Sequence, residues 1–327
     1  MAALQTIALL GNPYGWYARD LARAAKLRGI ELLPISFEHL ETSLRDARSS
    51  ASGPPAASSR TTPDLERQIP LDPSVPGCPD LLLVRSMPMG SLEQVIFRVN
   101  ALHQMASHGL LVVNSARSLE IAIDKWLTLR LLQEKGLPIP TTLCCQTRRQ
   151  AMAGWEFLGR RCVVKPVFGS EGRGIIRVED PDIAWRVFGA IEQTRSLIYL
   201  QQFLESPGYD LRLLVIDGQV HSVRRMGVGG DWRNNLSRGG TAEPWEASQG
   251  ERQLAIEAAS VIGASLAGVD LLPTEQGPVL LEINGIPGWK GTAKALSRDL
   301  SLDVIDALIA MHARHRNPRA MKNLHSQ

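Results

Sequence analysis

V-V-K-P-V-F-G-S-E-G-R-G, Val163 to Gly174, is the stretch on which the fold turns. An apolar run of strand type ends at Lys165, a loop carrying Gly169, Ser170, Gly172 and Gly174 follows, and G-I-I-R-V resumes a strand pattern. Strand, glycine loop and strand make a hairpin flap. A Rossmann or Walker phosphate loop must lead directly into a helix N-terminus, and this one does not. The flap resembles instead the glycine-rich cover of kinases, where backbone N–H groups close over a polyphosphate. Lys165, projecting from the strand before it, would pair with the α- and β-phosphates. A tight hairpin with a surface lysine satisfies the same pattern, so the flap alone does not decide function.

Two further clusters bear on it. In L-L-E-I-N-G-I-P-G, Leu280 to Gly288, Glu282 and Asn284 are two apart on a strand and share a face, with leucine and isoleucine on the other. A carboxylate and an amide oxygen are hard ligands suited to Mg²⁺, and G-I-P-G-W-K-G after them reads as a rigid loop of the kind that lines a site. Asp270, on the preceding strand of the same hairpin, joins them if the register brings it to Glu282, which spacing leaves open. A solvent-facing polar edge is the plainer alternative. The third cluster is basic: Asp210 and Arg212 in D-L-R, then Arg224 and Arg225, then G-D-W-R-N-N-L-S-R-G-G-T with Arg233, Asn234 and Asn235. Guanidinium forks and amide N–H groups both donate to phosphate oxygens; a charged surface loop is the competing reading. Together, and in this order, the three say more than any one.

Outward from the flap, T-I-A-L-L-G reads as a buried strand, Ala18 to Leu27 as a helix and I-E-L-L-P-I as a second strand, which is a parallel βαβ unit. D-L-L-L-V-R, a helix from Leu92 to Gly109 and L-L-V-V-N-S complete an open-sheet domain over 1–117. Within it, 42–79 is dominated by Ser, Pro, Ala and Arg and is expected to be a mobile surface insertion. From Ser118, read as an N-cap, helical spacing continues to Gly136, read as the C-cap. A helix around 147–158, the flap hairpin and a helix near 182–192 fill a central unit over 118–200. Strands L-R-L-L-V-I and Q-V-H-S-V-R-R, a helix from Gln249 to Leu266 and the hairpin ending in E-I-N fill a C-terminal unit over 201–313. Residues 314–327 form a basic tail.

At 327 residues, 44% hydrophobic and 21% charged, the chain has the composition of a soluble globular protein of two or three domains. No window nears the roughly 18 uninterrupted apolar residues of a membrane span. M-A-A-L-Q-T-I-A-L-L-G has neither a basic n-region nor a cleavage site, so a cytoplasmic location is expected. The net charge is +3, but Arg314, Arg316, Arg319 and Lys322 all lie in the last fifteen residues, which hold no acid. Without them the body carries about −1, and nucleic acid is not an expected partner. Cys78, Cys144, Cys145 and Cys162 form no C-x-x-C, and His312-x-x-His315 lacks cysteines at zinc spacing. Reduced thiols and no structural zinc are expected.

With these clusters in this order, the chain resembles the ATP-grasp superfamily in its RimK-like branch of glutamate ligases, over about residues 80 to 310. V-V-K-P-V-F-G-S-E-G-R-G, Y-L-Q-Q-F-L, G-Y-D-L-R, G-D-W-R-N-N-L-S-R-G-G, G-V-D-L-L and V-L-L-E-I-N-G-I-P-G carry the resemblance. It implies an α/β (α+β) ATP-grasp fold with an N-terminal open-sheet pre-ATP-grasp domain. It also implies ATP with Mg²⁺, or Mn²⁺ in its place. Lys165 would bind the phosphates under the flap of Gly169, Ser170, Gly172 and Gly174. Gln202 and Phe203 would form the adenine hinge and Asp210 would meet the ribose. Arg233, Asn234 and Asn235 would reach the polyphosphate, and Asp270, Glu282 and Asn284 would hold the metal. Lys125 stands where relatives place a second ATP-binding lysine. Gln202 replaces a usual glutamate; it still accepts from an adenine amino group but brings no charge.

The implied reaction runs through an acyl-phosphate. A small-molecule carboxylate attacks the γ-phosphate, and an amine, that of L-glutamate, then expels phosphate. Arg225 and Arg233 are the candidates for stabilising the developing charge. V-R-S-M-P-M-G-S-L-E-Q-V and E-I-N-G-I-P-G-W-K-G look closer to members of tetrahydromethanopterin-linked one-carbon metabolism than to the ribosomal-protein modifier. Trp232, Trp245 and Trp289 would wall a groove for such a pterin acceptor, or lie in the core. Ligation to a protein C-terminus or with another amino acid, a nucleotide-binding regulator without turnover, and a homo-oligomer stand as open alternatives.

Overall fold

Apolar runs that do not alternate, such as Ile7–Leu10 and Leu81–Val84, need cover on both faces and belong in a parallel sheet. The computed structural model, which describes residues 3–42, 71, 77–169, 174–227 and 239–317, has that sheet. The chain forms two units, 1–116 with 308–327, and 117–307.

In the first unit β1 (Thr6–Leu10), α1 (Trp16–Leu27), β2 (Glu31–Ile35), β3 (Leu81–Val84), α2 (Leu92–Ser107) and β4 (Leu111–Val113) give a parallel sheet of order β2-β1-β3-β4. Asp80 ties β3 to β1, one oxygen accepting the N–H groups of Gln5 and Thr6 at 2.9 Å each. Burial pushes this carboxyl up, but those donors outweigh it and leave it below its ordinary value. Most of the expected insertion, 43–70 and 72–76, lies outside the described residues.

The segment from Ser118 to Gly136 is not the single helix its spacing predicts. α3 (Ala116–Ile123) and α4 (Lys125–Glu134) meet at Asp124, whose carboxylate accepts from the N–H groups of Trp126 and Leu127 at 2.9 and 3.0 Å. A side chain able to cap a helix start competes with continuing the helix through it. Ser118 lies inside α3 instead of capping it, and its hydroxyl donates to the Gly263 carbonyl at 2.6 Å.

Two antiparallel sheets complete the second unit. β5 (Thr142–Cys145), β6 (Cys162–Lys165), β7 (Ile176–Val178) and β8 (Ile198–Gln202) pair in the order β5-β8-β6-β7, with α5 (Arg148–Phe157) and α6 (Pro181–Gln193) among them in sequence. Cys162, Val164, Ile198 and Leu200 pack on Trp155 and Phe188. Alternation therefore turns Val163, Lys165, Tyr199 and Gln201 to the other face.

β9 (Tyr209–Ile216), β10 (Gln219–Met226), β11 (Thr241–Pro244), β12 (Leu266–Thr274) and β13 (Gly277–Asn284) pair in the order β11-β10-β9-β12-β13. α7 (Gln249–Val261) stops short of the expected Leu266, because Gly263 takes φ +68° and ends the helix. Leu211, Leu213, Val269, Leu271 and Leu280 form a core with Ala255 and Ala258 of α7 and Leu129 and Leu132 of α4.

The loop expected through G-I-P-G-W-K-G gives way at Lys290 to α8 (Lys290–Leu296), followed by α9 (Leu300–Arg316). Trp289 is 1% exposed and its indole N–H donates to the Ser301 hydroxyl at 3.0 Å. It is core and walls no ligand groove. Arg314 and Arg316, expected in a tail, finish the last turn of α9, and 318–327 lie outside the described residues. His312 is buried on that helix; burial depresses its imidazole below the ordinary value, as suits a neutral core histidine. Among the described residues no helix is long and apolar enough to cross a membrane.

Candidate active site

Strand pairing lines up charged side chains across the second sheet of the second unit. Arg225 on β10 faces Asp210 on β9, Arg212 on β9 faces Asp270 on β12, Asp270 faces Glu282 on β13, and Gly268 faces Asn284. Directly opposed residues share a face, so the register supplies what spacing left open. Asp270, Glu282 and Asn284 stand together. A register shift between Asp270 and Leu271 pairs Leu271 with Leu280 but Asp270 with Glu282. Leu280 and Ile283 are therefore the core residues of this stretch, where simple alternation expects Leu281 and Ile283.

Arg225 forks onto Asp210, Nε to Oδ1 at 2.6 Å and Nη2 to Oδ2 at 2.9 Å, and the same Nη2 lies 3.1 Å from Asp270 Oδ2. Arg212 Nη2 donates to Asp270 Oδ2 at 3.0 Å. Burial opposes the charge on Arg225, but Asp270 and Asp210 outweigh it and hold the guanidinium protonated above its ordinary range. Gly268 keeps the path of Arg212 open: a Cβ there would collide with Arg212 Nη1 and lie 3.1 Å from Pro287 Cβ.

From the other sheet Lys165 donates to Gln201 Oε1 at 2.6 Å. Burial pulls its ammonium down to about 8, while Glu282 and Asp270 raise it and Lys125 lowers it, so these charges lie within electrostatic reach of one another. Lys125, the first residue of α4, donates to the Gly169 carbonyl in the flap and lines a small cleft with Thr128 and Glu282. Pro166 packs under both ends of the flap, 3.2 Å from where a Cβ on Gly169 would stand and 3.5 Å from one on Gly174, which takes φ +72°. Gln202 is half-buried at the end of β8, and two guanidiniums approach the Phe203 ring, Arg161 Cζ at 4.4 Å and Arg177 Cζ at 4.2 Å from its centroid.

Lys125, Lys165, Gly169, Asp270 and Glu282 thus meet at one place. Ser170, Gly172, Arg233, Asn234, Asn235 and the Trp232 of the expected groove lie outside the described residues. Asp210 and Arg225 are 7% and 5% exposed and are taken up with each other. A ribose contact by the first and charge stabilisation by the second would both have to act through that pair. Gln201 and Gly268 lie within Y-L-Q-Q-F-L and G-V-D-L-L, but only the register shows what each one faces.

Oδ1 of Asp270 is buried without a hydrogen-bond donor among the described residues, because Arg212 Nε, 2.5 Å away, is out of line for one. Its charge is nevertheless met by the guanidiniums of Arg212 and Arg225, so the fit to a metal rests on the chemistry of the donor set. Among the described residues no three His, Cys, Asp or Glu side chains gather as a metal site. Two carboxylates and an amide are a hard-oxygen set, which suits Mg²⁺ and not zinc. The residues fit a magnesium-bound nucleotide.

The RimK-like ATP-grasp domain profile matches residues 122–308. The chain belongs to the RimK-like ATP-grasp family. This RimK-like protein is 30% identical over 309 residues to the tetrahydromethanopterin:alpha-L-glutamate ligase of Methanosarcina acetivorans, over 86% of this chain and 91% of that one. It is 34% identical over 209 residues to a probable alpha-L-glutamate ligase of Haemophilus influenzae, over 63% of this chain and 69% of that one. The ATP-grasp ligase PsnB, solved with minimal precursor, Mg and ADP, shares the fold at a TM-score of 0.68 and 22% identity, over 94% of this chain and 98% of that one. As a RimK-like ATP-grasp member, the chain is an ATP-dependent ligase that forms carbon–nitrogen bonds.

Proposed function

We propose that this ligase joins the amine of L-glutamate to the carboxylate of a pterin-type cofactor, in the cytoplasm, with Mg²⁺ as its ion and Mn²⁺ accepted by the same oxygens. The ligase chemistry rests on one observation, the pairing of Asp270 with Glu282 within reach of Lys165 and Lys125. The acceptor rests on the 30% identity to the tetrahydromethanopterin ligase over most of both chains.

The acceptor carboxylate takes the γ-phosphoryl group of ATP and ADP leaves. The glutamate amine then adds to the acyl carbon, loses its proton and displaces phosphate, which leaves an amide. Held by Asp270, Glu282 and Asn284, magnesium would neutralise charge on the β- and γ-phosphates. Lys165 and Lys125 add two positive charges already in place before the phosphates arrive. Through its bond to the Gly169 carbonyl, Lys125 couples the flap to the phosphates, so that water is kept from the acyl-phosphate. Arg225 and Arg212 orient Asp270 and act as positioning residues. Arg233, Asn234 and Asn235 would complete the phosphate side, with Arg233 facing the developing charge; Gln202 and Phe203 would take the adenine. On this reading 118–200 and 201–313 are two lobes that grip the nucleotide, and 1–117 is a separate domain.

Mass spectrometry of products from ATP, glutamate and a panel of pterins tests the reading. The expected product is a pterin heavier by one glutamate residue, with ADP formed in equal amount. Glutamate appearing on a peptide C-terminus instead would remove the pterin acceptor. Absence of ADP and phosphate release with every carboxylate–amine pair would leave a nucleotide-binding regulator without turnover.

A further inference from the structure

Gln201 is 2% exposed on β8, directly across from Thr142 on β5 and Val163 on β6. Lys165 is two residues beyond Val163 and so lies on the same face. Three hydrogen bonds run through these side chains in series. The Thr142 hydroxyl donates to the Pro140 carbonyl at 2.8 Å, Gln201 Nε2 donates to Thr142 Oγ1 at 3.2 Å, and Lys165 Nζ donates to Gln201 Oε1 at 2.6 Å.

The direction of this series is fixed from both ends. A carbonyl only accepts, so Thr142 gives its single proton to Pro140. Toward Gln201 the threonine oxygen can then only accept, which requires the amide nitrogen on that side. The amide oxygen is left pointing at Lys165, and an ammonium only donates. An amide turned the other way would set its N–H groups against the ammonium and its oxygen against a threonine oxygen with no proton left to give.

We infer that Gln201, oriented by Thr142, is a positioning residue that holds the Lys165 ammonium in place for the nucleotide phosphates without cancelling its charge. A glutamate at 201 would accept the same bond but set a full negative charge 2.6 Å from the ammonium. The neighbourhood already holds Glu282 and Asp270. A further acid would leave the lysine paired within the protein and less available to phosphate. An amide gives the geometry alone.

The inference rests on Lys165 being a phosphate ligand, so its test carries a control for that reading. The full chain is compared with Lys165→Met, Gln201→Glu, Thr142→Val and Thr142→Ser. The readouts are calorimetric affinity for Mg²⁺ with a non-hydrolysable ATP analogue, thermal melting, and KM for ATP against kcat. Lys165→Met is expected to weaken nucleotide binding at least about tenfold. Gln201→Glu is expected to weaken it by a similar factor, about tenfold, through KM for ATP and not kcat. Thr142→Val, which keeps the shape and frees the amide to turn, is expected to cost about threefold or more, and Thr142→Ser to return to within about twofold of the parent.

A Lys165→Met protein that binds as the parent does would sink the nucleotide reading itself. A weakened Lys165→Met beside Gln201→Glu and Thr142→Val proteins that bind normally would overturn this inference alone. If Gln201→Glu does not fold, the threonine pair still decides.

Discussion

Asp270 on β12 stands directly opposite Glu282 on β13, and the shift of register between Asp270 and Leu271 is what puts them there. In a regular ladder Leu280 and Glu282, two apart, would share a face. One extra residue on β13 lets Leu280 enter the core while Glu282 turns to the charged face. The same hairpin thereby closes the core and presents two carboxylates side by side.

Two carboxylates so placed should make nucleotide binding depend on magnesium. Asp270→Asn and Glu282→Gln keep the shape and remove one charge each. Affinity for ATP in the presence of Mg²⁺ is expected to fall by about tenfold or more in either variant, with little change when the metal is chelated. Calorimetry with and without a chelator measures both. An unchanged magnesium dependence would remove these two side chains as ligands.

Among the described residues Arg225 is the one fork on Asp210, and it also touches Asp270, all three being 7% exposed or less. Arg225→Met leaves two buried carboxylates short of their counter-charge. Loss of one partner from such a cluster costs about 3–5 kcal/mol of stability, which urea unfolding would register. Adding Asp210→Asn should return much of the loss, because the second substitution removes the stranded charge. Independent, additive losses would mean that the pair is not a unit.

How much of this was legible in the sequence follows from how local each signal is. Lys165, Glu282 and Asn284 announce themselves through neighbours within a few residues, a glycine loop and a two-residue period. Asp270 was nameable but not placeable, since opposition across a hairpin depends on a bulge that spacing does not reveal. Gln201 was hidden beside Gln202, because alternation sends the two to opposite faces and nothing in Y-L-Q-Q-F-L says which face holds the lysine. The parallel sheet was legible from the order of strand, helix and strand at its start. The break at Asp124 was not, because apolar spacing continues through it and only a hydrogen-bond account of the helix start exposes it.

That break also sets Lys125 as the first residue of α4. Asp124→Ala removes the cap and should cost about 1 kcal/mol of stability, which thermal or urea unfolding measures. Because the capped turn carries Lys125, nucleotide affinity should fall as well, whereas Asp124→Ser should restore both. A stability loss with unchanged affinity would separate Lys125 from the site.

Lys165 gives the most direct conflict between stability and function. Its ammonium titrates near 8 in the folded chain against an ordinary 10.5, burial being the main cause. Between those values the unfolded chain holds a proton that the folded chain has shed, so stability contributed by this residue rises with pH across that window. Below it both states are charged and the full cost of burying the ammonium is present. Lys165→Met removes that cost. Without nucleotide the variant should be more stable than the parent near neutral pH by on the order of 1 kcal/mol; the shift itself would give more, but Lys165 is only half-buried and solvent screens part of it. The gap should close as pH approaches about 10, and nucleotide affinity should be lost throughout. Urea midpoints at a series of pH values, with and without ATP, measure both effects. A variant less stable than its parent at neutral pH, or a gap that widens as pH rises, would mean that the acids around Lys165 already compensate its burial.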